Sequence, residues 1–181
     1  LDDCVPVPEE LDAGLAAVLP NALLGSDAAL VCRANFQHGQ NVLINGATGV
    51  SGRMAVQAAR LRGAGKIIVT GRNAESLAYL RTIGADQCIS LLDEPQKIIE
   101  QLLAVQQTSP LDVVLDYLWG EPVQWLLQAL AQNCPQPVQI VTIGQMAGIE
   151  IQLPSGILRS QPISILGSGL GSINAAQLRV Y

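Results

Sequence analysis

The stretch Asn41-Val42-Leu43-Ile44-Asn45-Gly46-Ala47-Thr48-Gly49-Val50-Ser51-Gly52 decides the fold. Val42-Leu43-Ile44 is a short apolar run of the kind that forms a strand buried on both faces. A cluster of small residues follows, and Met54 to Leu61 then reads as helix. A strand that turns through small residues into a helix leaves the first N–H groups of that helix unpaired. With the positive end of its dipole, those groups make an anion site. Ala47, Gly49 and Gly52 take the three positions of a dinucleotide fingerprint, with alanine in the first. The first makes the tight turn, the second lets the backbone approach a pyrophosphate, and the third lets helix and strand pack closely. The main-chain amides between Ala47 and Gly52 are therefore expected to grip a diphosphate. A triphosphate-binding P-loop is excluded, because Arg53 follows Gly52 where Lys-Ser/Thr would be required.

Outward from this turn, apolar runs alternate with helical stretches. Ile67-Ile68-Val69, Cys88-Ile89, Val113-Val114-Leu115, Val138-Gln139-Ile140-Val141 and Ile163-Ser164-Ile165-Leu166 read as further strands. Helices are expected from Asn73 (carrying Leu77, Leu80 and Ile83), from Pro95 to Val105, and from Pro122 to Ala131. Right-handed crossovers between such strands give an α/β fold, a doubly wound parallel sheet of about six strands. Upstream, Pro8-Glu9-Glu10-Leu11 reads as the start of one helix that Pro20 and Asn21 break. A second helix runs roughly from Leu23 to Arg33, and the chain stops at Tyr181 inside a third helical stretch.

Composition narrows the functions. Hydrophobic residues make up 49% of 181, enough for a buried core. Fifteen acidic against ten scattered basic residues, net −5, argue against nucleic acid or an anionic membrane surface as partner. Pro122 to Ile149 carries long apolar stretches, but glutamines, Asn133, Pro135 and Pro137 interrupt them, unlike a spanning helix of ~20 apolar residues. Four cysteines (Cys4, Cys32, Cys88, Cys134) form no CxxC pair and His38 is the single histidine, so neither a structural metal nor a disulfide framework is expected. Reduced thiols fit a cytoplasmic protein.

The end of the second strand selects the dinucleotide. An NAD site usually carries Asp or Glu there to hold the ribose hydroxyls. This chain has Thr70-Gly71-Arg72-Asn73, and its first acid after the fingerprint is Glu75, inside a helix. A small residue followed by arginine accepts a 2′-phosphate, which a guanidinium binds with paired hydrogen bonds. Asn73 can cap the next helix and reach the same phosphate. NADP(H) is the expected cofactor.

The Asn41–Gly52 stretch, Ala55-Val56-Gln57-Ala58-Ala59 and Gly84-Ala85-Asp86 together resemble the nucleotide-binding domain of medium-chain dehydrogenase/reductases, in the zinc-independent, quinone oxidoreductase-like branch. Pro6-Val7-Pro8-Glu9-Glu10-Leu11 is similar to that family's link out of its catalytic domain. The resemblance implies a helical linker over residues 1–35, a Rossmann-type nucleotide domain over 36–181, and a catalytic domain outside this chain. It implies cofactor contacts from Gly46, Ala47, Thr48, Gly49, Val50, Ser51 and Gly52 at the pyrophosphate. Thr70, Gly71, Arg72 and Asn73 would hold the adenosine phosphate. Asp116-Tyr117-Leu118 and Ile143-Gly144-Gln145 would lie near the nicotinamide, with Tyr117 and Gly144 in contact. Two features depart from the family: the aromatic pair Tyr117 and Trp119, and His38 where proline is common.

The resulting expectation is the cofactor domain of an NADPH-dependent quinone or enone reductase, inactive without its catalytic domain and contributing no catalytic residue and no metal ligand. Its substrate would be a small electrophile. The unpaired edge strand 163–168 suggests a homodimer, unless a segment outside the chain covers that edge. A short-chain or epimerase-type enzyme fits less well, since a long helical stretch precedes the glycine turn and no tyrosine has lysine four positions on. The alternative is a non-catalytic NADPH-binding module for redox sensing or assembly.

Overall fold

Six strands form where the β-branched runs lie: β1 (Val42–Asn45), β2 (Ile67–Gly71), β3 (Gln87–Ser90), β4 (Val113–Asp116), β5 (Val138–Thr142) and β6 (Ile163–Gly167). All pair in parallel, in the order β3-β2-β1-β4-β5-β6. The structure, a computed structural model, describes residues 6–172 together with 174 and 177. Cys4 and the helical stretch expected toward Tyr181 fall outside the described residues.

The helices that return the chain are α2 (Val50–Leu61), α3 (Ala74–Thr82), α4 (Pro95–Thr108), α5 (Gly120–Gln132) and the short α6 (Ser155–Ser160), preceded in the chain by α1 (Ala13–Ala28). Each of the central strands buries both faces. Val42 and Ile44 pack with Val56, Val69, Leu80 and Leu115 on one side. Leu43 packs with Ile68, Val114, Leu126 and Ile140 on the other. Strand order reverses between β1 and β4, so the β1 and β4 turns diverge and leave a crevice at their carboxyl ends.

The N-terminal region departs from expectation. Pro8 to Leu11 forms a turn closed by the Leu11 N–H on the Pro8 carbonyl, and the helix starts at Ala13. Asp12 caps it, accepting from the Gly14 and Leu15 N–H groups at 2.9 and 3.1 Å. Pro20 does not break it: α1 runs through to Ala28 and continues into one π-helical turn, Ala29–Arg33. Pro20 is exposed, so its ring sits on the solvent side of the helix and not in the core. Packing along α2 offsets the rest of the cost. An Asp27–Arg62 ion pair and a bond from the Ser26 hydroxyl to the Ser51 carbonyl tie the two helices together. The stretch Ala13–Arg33 is long and apolar enough, by length and composition, to cross a membrane, with mean hydropathy 1.6. It serves here as a layer over α2. α6 was not expected; it is six residues long and buries none of them, so it carries no apolar period.

Replacing Pro20 with alanine restores the missing donor and removes the ring clash. Urea unfolding is expected to show Pro20→Ala more stable than the parent chain by about 1–3 kcal/mol. An unchanged or lowered midpoint would mean the helix has adapted to proline.

Candidate functional site: the cleft at the β1 and β4 ends

Three side chains below the crevice join the ends of three strands. The Thr70 hydroxyl, at the end of β2, donates to Asn45 Oδ1 at 2.6 Å and accepts from the Gly46 N–H at 3.0 Å. Asn45, ending β1, donates through Nδ2 to Asp116 Oδ1 at 2.8 Å. Asp116 ends β4, and its carboxylate also accepts from the Leu118 and Trp119 N–H groups at 3.1 and 3.0 Å. Its main-chain carbonyl takes the Ile143 and Gly144 N–H groups beyond β5. All three side chains are buried, Asp116 completely. Burial pushes the Asp116 carboxyl up to about 6, against the opposing pull of the three donors. Trp119 is held at φ +54°, a backbone region unfavourable for a bulky residue, by its bond to that carboxylate.

Above this network lies a cleft of about 230 Å³. Gly46, Thr48, Gly49, Gly71, Arg72 and Tyr117 line it. The glycines there act differently. Gly49 is the N-cap of α2, with no side-chain cap, and a Cβ built on it meets nothing within 4 Å. It therefore keeps open the approach to the free N–H groups of the first turn, where Val50 and Ser51 are exposed. Gly52 is buried, and a Cβ there would lie 2.5–2.7 Å from the Ala47 backbone. It is the close-packing glycine of helix against turn.

Some expected contacts belong to the layer beneath. Ala47 is fully buried, and its N–H donates to the Thr70 carbonyl at 2.9 Å. That amide is not free for an anion, and the row of available donors begins after it. Thr70 is buried with its hydroxyl committed on both sides, so it supports the turn from below. Asn73 caps α3 through Oδ1, accepting from the Ser76 N–H at 2.7 Å, and its Nδ2 remains a donor. Arg72 is exposed at the cleft edge and makes no ion pair among the described residues. Tyr117 is 9% exposed; part of it walls the cleft while its hydroxyl pairs with Ser26 Oγ of α1 at 2.6 Å. Burial raises the phenol to about 12, so it stays neutral. Gly144 sits apart, in a neighbouring hollow with Trp119, Thr142 and Ile143.

Leu91 and Met146 complete the cleft wall and were not anticipated. Leu91 directly follows β3, and the rule that ligands sit outside strand carboxyl ends would have flagged it. Met146 comes from the loop after β5, held by its N–H on the Tyr117 carbonyl at 3.2 Å, and no local pattern marks it. A second cavity, of about 420 Å³, opens from the same wall, where Arg72, Leu91 and Leu118 meet Pro122 and Trp125 of α5. His38 is exposed at the opposite end of the sheet, on the turn before β1. Among the described residues no group of three or more His, Cys, Asp or Glu side chains comes together.

Comparison with known proteins converges on one family. The zinc-binding dehydrogenase family matches residues 51–179. A "Probable NADPH-dependent quinone reductase" of Emericella nidulans is 32% identical over 181 aligned residues, 94% of this chain and 50% of that protein. The chloroplastic NADPH-dependent alkenal/one oxidoreductase of Arabidopsis thaliana is 36% identical over 88 residues, 48% of this chain and 22% of its own length. Among solved structures, the quinone oxidoreductase of Thermus thermophilus, also determined in complex with NADPH, superposes with a TM-score of 0.77 at 25% identity. That match covers 97% of this chain and 54% of the other. The chain spans about half the length of the curated relatives it matches along most of its own length.

The buried Asp116 carboxyl sets a pH dependence. Its ordinary value is 3.8 and its folded value about 6, so between these the folded state binds more protons than the unfolded one. Stability from this group is full below about pH 4 and falls as pH rises through 6. Urea unfolding across pH 4–7 is expected to show the parent chain losing up to about 3 kcal/mol relative to Asp116→Asn over that window, then holding constant. A difference that does not change with pH would mean the carboxyl is ionised throughout.

Proposed function

Because the chain belongs to the zinc-binding dehydrogenase family, we propose that it is the nucleotide-binding part of an NADPH-dependent oxidoreductase acting on quinones or enones. The observation that carries this reading is the uncapped start of α2 at Gly49, opening without obstruction onto the cleft where strand order reverses. A diphosphate fits there: free N–H groups and the helix dipole supply the attraction, and no Cβ stands in the approach.

The preference for NADP(H) rests on Arg72. A guanidinium at the β2 end, without an acidic partner among the described residues, suits a 2′-phosphate, and Asn73 Nδ2 offers a second donor. The adenine would extend into the adjoining cavity between Arg72 and the Pro122–Trp125 face of α5. Toward β5, Tyr117 and Gly144 would flank the nicotinamide half. When bound, the dihydronicotinamide supplies a hydride to an electrophilic carbon. This chain binds, orients and walls off water on one side, and none of its side chains is assigned a proton-transfer role. Residues outside the 181 would supply the rest of the substrate site, so this chain alone would be inactive. No zinc role falls to it. Among the described residues β6 ends the sheet with its outer edge unpaired, which favours a homodimer through residues 163–168, and the sedimentation coefficient reads that state directly. A cytoplasmic location goes with this reading.

Fluorescence titration with both dinucleotides tests the assignment. NADPH is expected to bind more tightly than NADH, and Arg72→Ala to narrow the gap by about 1–3 kcal/mol. Gly49→Val, whose Cβ meets no protein atom within 4 Å, is expected to abolish binding of both while the melting temperature holds. Equal affinity for the two dinucleotides would remove the NADP(H) assignment. Unchanged titration of Gly49→Val would remove the phosphate site itself.

A further inference from the structure

Ser26 is a buried hydroxyl in the last turn of α1, where Ala28, Ala29 and Leu30 follow it into the core. A helical serine often returns its proton to a carbonyl of its own preceding turn. Ser26 turns outward instead. It donates to the Ser51 carbonyl in the first turn of α2 at 3.2 Å, and its Oγ lies 2.6 Å from the Tyr117 hydroxyl. A buried hydroxyl costs stability unless its bonds are made, and the Asp27–Arg62 ion pair already ties α1 to α2. The partner that the helix pair does not account for is Tyr117.

The direction of these bonds follows from proton counting. A carbonyl only accepts, so the single Ser26 proton goes to Ser51, and Tyr117 donates to Ser26 Oγ. With its pKa raised to about 12, the phenol keeps that proton. Tyr117 is also fixed at its main chain: its N–H donates to the Asn45 carbonyl at 3.1 Å, and its carbonyl accepts from the Met146 N–H at 3.2 Å. Its side chain thus runs from the β4 end to α1 and is held at both ends. Between those ends it walls the cleft beside Thr48 and Gly49, at the uncapped start of α2. Through Ser26 the same wall is joined to the α2 first turn.

We infer that Ser26 is a positioning residue for the cofactor, acting through Tyr117, whose ring it fixes as the wall of the cleft on the nicotinamide side. An unfixed ring could turn into the space the dinucleotide needs or away from it, and binding would then have to order it. Held by Ser26, the wall is in place before the ligand arrives. The phenol proton, committed to Ser26, is not offered to a ligand, so Tyr117 serves by shape. The inference rests on the cleft being the NADP(H) site.

Titrations of the parent chain, Ser26→Ala, Tyr117→Phe and the double variant test it, with NADPH and with adenosine 2′,5′-bisphosphate, which lacks the nicotinamide half. Alanine suits a buried helix position and phenylalanine keeps the ring, so these variants are expected to fold. Each single variant is expected to weaken NADPH about threefold to tenfold, as for one lost neutral hydrogen bond, and to leave the bisphosphate unchanged. The double variant is expected to lose no more than either single one, because both remove the same bond. At saturation the emission lifetime of bound NADPH is expected to shorten in Ser26→Ala, since the nicotinamide is then less firmly held. Parallel loss of NADPH and the bisphosphate, or losses that add in the double variant, overturns the inference, because Ser26 would then act only through helix packing. Should NADPH bind the parent and both single variants equally, the inference fails and the cofactor assignment survives. If the parent chain binds neither ligand, the cofactor reading fails and the inference falls with it.

Discussion

The buried chain Thr70–Asn45–Asp116 is the constraint on which the cleft depends. Each side chain lies one residue before a cleft-lining residue: Asn45 before Gly46, Thr70 before Gly71, Asp116 before Tyr117. Hydrogen bonds between neighbouring strands fix register along the sheet, but they do not fix the turns that leave it. Here side-chain bonds across β2, β1 and β4 do so, and the Asp116 carbonyl extends the connection to the residues after β5. A buried polar group costs stability unless its partners are met, and every member of this chain has them. The exception is partial: the carboxylate remains costly enough that its proton is held up to about 6.

The network also explains why the glycine turn needs two kinds of small residue. Because Gly46 and Ala47 are tied down to Thr70, the turn sits low over the sheet, and α2 begins almost in contact with it. Gly52 absorbs that closeness; its missing Cβ is filled by Ala47 backbone. Gly49 points to open space and contributes nothing to packing. A spacing shared by many sequences thus separates, in three dimensions, into one residue that closes the packing and one that leaves the helix start open.

The sheet was legible in the sequence because strands buried on both faces read as unbroken β-branched runs, and Val42 to Ile44 or Val113 to Leu115 need no context to be recognised. α1 was misread because the proline penalty is local, whereas what keeps Pro20 in a helix is the packing of α1 on α2. For the cleft, the lining residues of the glycine turn and of the β2 and β4 ends were legible, and those of the loops after β3 and β5 were not. Leu91 and Met146 reach the cleft only through strand order and a loop hydrogen bond. Ala47 and Thr70 illustrate the reverse error. Adjacent to a motif, they were read as ligand contacts, yet the Ala47 N–H is taken by the Thr70 carbonyl and the Thr70 hydroxyl is held between Asn45 and Gly46. Asp116 was seen as a strand end, but its role requires knowing that β4 lies beside β1.

Charge closes the physical picture. With a net charge of −5 the chain as a whole repels phosphate, so binding one must depend on where individual cations are left uncompensated. Away from the cleft, Arg60 and Lys66 share Asp86, Arg62 pairs with Asp27, Lys97 with Asp93, and Arg33 donates to the Gly167 and Ser172 carbonyls. Those paired one to one add little to the field at the crevice, whereas Arg33, held by carbonyls, keeps its charge. Arg72 is different: among the described residues it makes no ion pair, and it lines the cleft beside the uncapped start of α2. An acidic protein can thereby leave a cation at the edge of the crevice, and that local departure from its overall charge is what recognition of a phosphorylated dinucleotide requires.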